Sequence, residues 1–181
     1  MKKLLFAAFL LIQAATFAQT TWKNDKMHSK LTFTVTHLMV SDVDGLFKNF
    51  DVTITSAKPD FSDAVFQLTA DAASINTDVE MRDNDLKSAN YFDVAKYPTL
   101  TFKSTSITPN GKNRYKLAGD LTLHGVTKPV TTTASVVVSG KTTTTTSEFS
   151  IQVADYAVTG AAIGAGKVST DPKITVNAEF K

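Results

Sequence analysis

From Lys30 the chain alternates. Leu31, Phe33, Val35 and His37 share one face of an extended segment, with Thr32, Thr34 and Thr36 on the other, the two-residue period of a strand with one apolar side. The rhythm returns in Phe50, Val52 and Ile54 against Asp51, Thr53 and Thr55, and in Phe66, Leu68 and Ala70 against Gln67, Thr69 and Asp71. Ser41-Asp42-Val43-Asp44-Gly45 reads as a loop, with Gly45 available for a positive φ, and Lys58-Pro59-Asp60 as a break. Strand pattern resumes at Thr99 with Leu100 and Phe102. Thr108-Pro109-Asn110-Gly111 reads as a hairpin loop before Tyr115, Leu117, Gly119, Leu121 and Leu123 on one face. Val130 to Ser139 is a further strand, and Gly140-Lys141 turns the chain into Thr142 to Val153, where Phe149, Ile151 and Val153 face together. A Gly/Ala-rich loop, Thr159 to Gly166, precedes a last strand carrying Ile174, Val176, Ala178 and Phe180.

Eight or nine strands joined by short turns cannot be mainly parallel, because each parallel step needs a helix-sized crossover. The pattern predicts an all-β, antiparallel domain, closed either as a sandwich or as a barrel around a cavity. Phenylalanine on one face and threonine on the other favours the barrel. The run Thr142–Thr146 reads as an exposed strand start.

The alternation stops once, from Ala73 to Ser104. Asn, Asp, Arg and Lys take over, followed by Tyr91, Phe92 and Tyr97. A connector of this length in a compact domain is usually functional or covers something. A short helix is predicted from about Asp78 to Ser88, with Arg82 pairing Asp78 and Lys87 pairing Asp83, each four residues apart. Leu86, Phe92 and Val94 would anchor it to the sheet, and Tyr97-Pro98 enforces an extended exit. Arg82, one of two arginines, reads either as a structural ion pair or as a contact to a polar ligand head.

Composition narrows the function. Met1-Lys2-Lys3, the apolar run Leu4–Ala15 and Thr16-Phe17-Ala18 read as a secretory signal peptide cleaved after Ala18. That leaves one domain, residues 19–181, and an exported, periplasmic protein without a membrane span, since the apolar run is shorter than the roughly 20 residues a span needs. Losing Lys2 and Lys3 reduces 19 basic residues to 17, equal to the 17 acids, so no charge excess points to nucleic acid. The chain has no cysteine, which excludes disulfides, thiolate metal sites and a lipid-modified N-terminal cysteine.

No residue argues for catalysis. His28, His37 and His124 lack close metal-ligand spacing, so no metal site is expected. There is no Gly-x-Ser-x-Gly elbow. Asp83 and Asp85, two apart on a helix, point in different directions and make no calcium loop. Gly160, Gly164 and Gly166 precede a strand and so do not cradle a phosphate.

In order and spacing, Ser74-Ile75-Asn76-Thr77, Arg82-Asp83, Leu86-Lys87-Ser88, Tyr91-Phe92-Asp93-Val94, Tyr97-Pro98-Thr99 and Phe102-Lys103-Ser104 resemble the signature of the YceI-like bacterial proteins. Gly119-Asp120-Leu121-Thr122-Leu123-His124-Gly125-Val126-Thr127-Lys128-Pro129 resembles the family's second block, and His28-Ser29, Phe33, His37-Leu38 and Gly45-x-Phe47 its first. The resemblance implies a lipocalin-like barrel of about eight strands in the periplasm. It would hold a polyisoprenoid, an isoprenoid quinone or polyprenyl chain, without catalytic activity or further cofactor. Two departures stand out: Asp85 where the family often has His, and Val153-Ala154-Asp155-Tyr156-Ala157 where an Arg-x-Asp-Phe-Gly-like motif is common. Both remove a basic or small residue and favour a neutral head group.

The expected ligand contacts are therefore Phe33, Val35, Phe50, Phe66, Phe102, Leu121, Leu123 and Phe149 on the strands, Phe92 beneath the connector, and His37, Arg82 and Asp83 as polar groups. The expected partner is the small-molecule lipid; a homodimer is left open. The rival readings are an enzyme or redox accessory acting on such a lipid through His37 or His124, and a structural envelope protein with a filled core.

Overall fold

The computed structural model describes residues 18–181; the leader expected over 1–18 lies, but for Ala18, outside the described residues. One antiparallel sheet contains β1 (Thr20–Lys23), β2 (Lys30–His37), β3 (Ser41–Phe47), β4 (Phe50–Ser56), β5 (Val65–Asp71), β6 (Ile75–Asn76), β7 (Thr99–Pro109), β8 (Arg114–Leu123), β9 (Val126–Ser139), β10 (Thr142–Ser150) and β11 (Lys173–Phe180). Helix α1 (Glu80–Lys87) lies in the connector between β6 and β7, and a single turn, α2 (Ala161–Gly164), lies between β10 and β11. Among the described residues no helix is long and apolar enough to cross a membrane.

The strand order is β1-β4-β5-β7-β8-β9-β10-β11-β2-β3-β6. β3 and β4 stand near opposite ends of that order, yet only Lys48 and Asn49 separate them in the chain. The sheet must therefore curl round on itself. A second closure joins the same seam, where Asn24 bridges Phe180 and the Asp25 N–H donates to the Glu179 carbonyl at 2.6 Å. The result is a curled antiparallel barrel, one of the two closures the alternation left open and the lipocalin-like one that the family resemblance implied.

The inward positions are those expected. Leu31, Val52, Ile54, Phe66, Leu68, Leu117, Leu121, Leu123, Ala178 and Phe180 are buried, Ile54 and Phe180 completely. The departures lie mostly at turns. Residues 41–45 form strand, not loop: Thr34 and Thr36 donate side-chain hydrogen bonds to Asp44 and Asp42 across the β2–β3 pair, at 2.6 and 3.0 Å, so the acids face water from a regular ladder. The reversal is instead a three-residue turn, Leu38-Met39-Val40, whose first two residues have positive φ. β9 starts at Val126, the β7–β8 turn falls after Pro109, and β10 stops at Ser150, where a 3-10 turn over Val153–Tyr156 ends in left-handed Ala157. The threonine run is a strand start, but Thr143 and Thr145 point inward and are buried.

Two glycines make room for aromatic rings. Gly45 sits opposite Phe33 in the β2–β3 register, and a Cβ there would lie 2.2 Å from the Phe33 ring. A Cβ on Gly119 would lie 2.5 Å from the Lys103 carbonyl oxygen and 2.6 Å from the Phe102 ring. Each strand glycine is thus covered by a phenylalanine that leans across it. At Gly119 the obstacle is backbone, which cannot rotate away. Gly119→Ala is expected to lower stability by about 1–3 kcal/mol, as overpacking does, measured by urea denaturation. Gly45→Ala meets only a ring and is expected to cost less while pushing Phe33 inward.

Candidate ligand-binding cavity

The barrel is hollow. A cavity of about 770 Å³ runs through it, within the usual range for small-molecule sites. Leu31, Phe33, Val35, Phe66, Leu68, Phe102, Leu117, Leu121, Leu123, Phe149, Ile174 and Val176 form most of its wall. Three lining residues of the connector, Val79, Met81 and Asp85, face solvent and mark its mouth. Polar residues are the minority of the lining; they include Arg82, Asp85, His37, Thr77 and Ser169, Thr32 and Gln67 on β2 and β5, and Thr132, Thr145 and Ser147 on β9 and β10. Thr132 and Ser147 bond each other at 2.8 Å.

Ten of the twelve residues expected at the ligand border the cavity: Phe33, Val35, His37, Phe66, Arg82, Phe92, Phe102, Leu121, Leu123 and Phe149. Phe50 and Asp83 do not. Phe50 is on the inward face of β4 and buried, but it sits beside the Lys48-Asn49 corner, packed into the core instead of bordering the space. Asp83 is buried within the connector. Sequence reasoning missed Val43, hidden in a segment read as loop, and the inward hydroxyls, which alternation in a threonine-rich strand does not distinguish from outward ones.

The connector is a lid with a polar pin. The Asp71 carboxylate accepts the Ala73 N–H and starts a 3-10 turn over Ala72–Ser74, which leads into β6. Asp83 then accepts the Thr77 N–H at 2.8 Å, the Thr77 hydroxyl at 2.6 Å and the Asn76 amide at 3.2 Å. Arg82 donates from Nε to the Thr77 hydroxyl oxygen at 2.7 Å and from Nη2 to the Thr77 carbonyl at 2.8 Å. The ion pairs expected with Asp78 and Lys87 do not form among the described residues; Thr77 takes both side chains instead. Burial alone would push the Asp83 carboxyl up. The hydroxyl and amide of Thr77, the Lys87 charge and the Asn76 amide outweigh it and hold the group below the ordinary carboxylate range.

Aromatic side chains seat the lid. Phe92 meets Phe47 edge-on with centroids 6.1 Å apart, and Phe47 meets Phe33 at 5.8 Å, a chain from lid to sheet. Tyr91 is buried, and its hydroxyl accepts the Ala162 N–H at 3.2 Å, tying the lid to the α2 loop. Tyr97 packs edge-on against His124 at 4.5 Å, and the His124 Nδ1 lies 3.2 Å from the Tyr156 carbonyl. His124 is therefore a packing residue outside the cavity.

His28 lies with Asp25 and Glu179 in the one group of ligating side chains found among the described residues. Lys181 already occupies it, with its ammonium 2.6 Å from Asp25 and 3.3 Å from Glu179.

Residues 22–180 match the YceI-like domain family. The chain belongs to that family. It is 37% identical over 135 residues to protein YceI of Escherichia coli O157:H7, covering 74% of this chain and 70% of that protein. It is 34% identical over 148 residues to a UPF0312 protein of Vibrio parahaemolyticus, covering 77% of each. Among solved structures, Burkholderia cenocepacia BcnA superposes with a TM-score of 0.82 at 27% identity, over 87% of this chain and 99% of that one. A polyisoprenoid binding domain from Saccharophagus degradans, implicated in plant cell wall breakdown, has the same fold, with a TM-score of 0.73 at 19% identity over 88% and 97% of the two chains.

The Asp83 pin in this YceI-like chain is open to two tests. Asp83→Ala strands the Thr77 N–H and hydroxyl and the Asn76 amide, and is expected to cost about 1–3 kcal/mol, measured by urea denaturation, with faster proteolysis between residues 76 and 88. The depressed pKa sets the sign of the pH effect. The contribution is fully present above the unfolded value of about 3.9 and is lost as pH falls through the lower folded value. Hydrogen exchange of the Thr77 amide is expected to speed up in acid below that window, and to respond to pH less in Asp83→Asn.

Proposed function

We propose that this protein is an exported, periplasmic carrier that holds one isoprenoid lipid in its barrel and performs no chemistry on it. The observation that carries the proposal is the cavity, about 770 Å³, mostly apolar in its lining and bordered at its mouth by the lid. Such a space takes an apolar chain, and burial drives it in at about 0.8 kcal/mol per CH₂ before the cost of ordering the chain. The Saccharophagus degradans domain of the same fold binds polyisoprenoid, and its likeness to this chain extends to fold. Of the two histidines considered for catalysis, only His37 borders the cavity, and the binding reading needs neither.

The mouth favours a neutral head group such as a quinone. Arg82 spends Nε and Nη2 on Thr77, and Asp85 borders the same space with a negative charge. A phosphate-bearing head would meet that carboxylate, whereas a carbonyl or hydroxyl could accept from Arg82.

The deciding experiment extracts the purified protein with organic solvent and identifies the lipid by mass spectrometry. A single isoprenoid species, with its yield reduced in Phe102→Asp, is expected; repeated extraction of none from a host that makes it would overturn the reading. Asp85→His is expected to improve retention of a prenyl phosphate relative to the matching quinone by about fivefold, the scale of one exposed charge contact, measured by competition between the two.

A further inference from the structure

The β2–β3 hairpin reverses over three residues, the first two of which resist its geometry. Leu38 and Met39 take left-handed φ of 50° and 58°, and the Val40 N–H closes the turn on the His37 carbonyl at 3.1 Å. Turns with two positive φ values are ordinarily made from Asn and Gly, because a Cβ crowds the backbone there. Here the tip is Leu-Met-Val, and its side chains stand in water, Met39 at 93% and Val40 at 87% exposure. Strained backbone that also keeps large apolar groups solvated points to a use for them.

Their place in the fold suggests what that use is. His37 and Val43, on the strands below the tip, line the cavity, as does Val168, which bridges to His37. Val79 and Met81 of the lid line it too and are exposed, Met81 at 81%. The tip and the lid thus set projecting apolar side chains around the mouth. The remaining exposed apolar pair on a hairpin, Val137 and Val138 at the β9–β10 turn, lies at the opposite strand ends, since β10 starts at the end where β2 starts.

We propose that this rim docks on the surface of a phospholipid bilayer, with Leu38, Met39, Val40 and Met81 entering the boundary between head groups and acyl chains. The apolar rim is continuous with the apolar cavity wall, so a lipid chain could pass from membrane to barrel without crossing water. The contacts project from a hairpin and a helix start and form no flat face, which suits a fluid surface better than a folded partner. The charged residues on the elements around the mouth are of both signs: Lys167, whose carbonyl accepts the Leu38 N–H, and Arg82, with Asp42 on β3 and Glu80 and Asp85 on α1. Insertion of apolar groups drives the contact, and neutral bilayers suffice. The purpose of docking rests on the lipid-carrier reading; the contact itself does not.

The absence of cysteine permits a clean test. Met39→Cys and, as a control, Val138→Cys each carry one environment-sensitive fluorophore, and the purified protein is mixed with phosphatidylcholine vesicles. The label at position 39 is expected to shift to the blue and to be quenched by lipid-borne quencher, with little dependence on salt, while the label at 138 stays in water. Met39→Ser with Val40→Ser, both exposed and so harmless to the fold, is expected to lower vesicle partitioning at least about tenfold. No shift at position 39, equal shifts at both positions, or partitioning unchanged by the serines overturns the proposal. The two readings fail separately: isoprenoid in the extract with a label that stays wet refutes docking alone, and a buried label with no isoprenoid refutes the carrier alone.

Discussion

Two strands consecutive in the chain, β3 and β4, stand next to opposite edges of one sheet. Residues 41–47 pair with β2 and β6, and after Lys48 and Asn49 residues 50–56 pair with β1 and β5. Two residues reach across only about 7 Å, so an eleven-strand ribbon is forced into a closed wall. Closure sends every inward side chain toward a common axis, and the side chains present do not fill the space. The cavity follows from that geometry.

The glycines refine it. Two phenylalanine rings of the wall lie over Gly45 and Gly119 instead of standing into the lumen. The lid then partly covers the hollow and borders its mouth. It is held by aromatic contact and by a carboxylate that Thr77 and Asn76 satisfy, with little contribution from charge pairing.

The strands around Phe33, Phe66, Phe102 and Leu121 were legible because one face is apolar and the other is threonine, and a period of two admits no other regular structure. The lid helix was legible as a break in that period. Ser41–Gly45 was not, because Asp42 and Asp44 point outward from a strand whose inward residues are Val43 and Gly45, and neither reads as a core position. Thr143 and Thr145 failed for the converse reason: a strand of one residue type has no visible phase. Phe50 shows that an inward face and a cavity wall are different things, since position along the strand decides between them. Arg82 and Asp83 were rightly placed on the lid but wrongly paired, because helix spacing takes no account of a threonine just before the helix.

The pairing of β11 with β2 has a kinetic consequence. Lys173–Asn177 lie against Lys30–Thr34, so the wall is joined by partners drawn from the two ends of the folded domain. Contacts so distant in sequence are slow to find, because a long loop must be ordered before they reward it. Most other strands can zip up against a nearer neighbour first, but the hollow is not complete until β11 is in place. Until then the phenylalanines that will line the hollow face water or one another, and a long apolar molecule met at that stage would have many surfaces to bind and no pocket to enter.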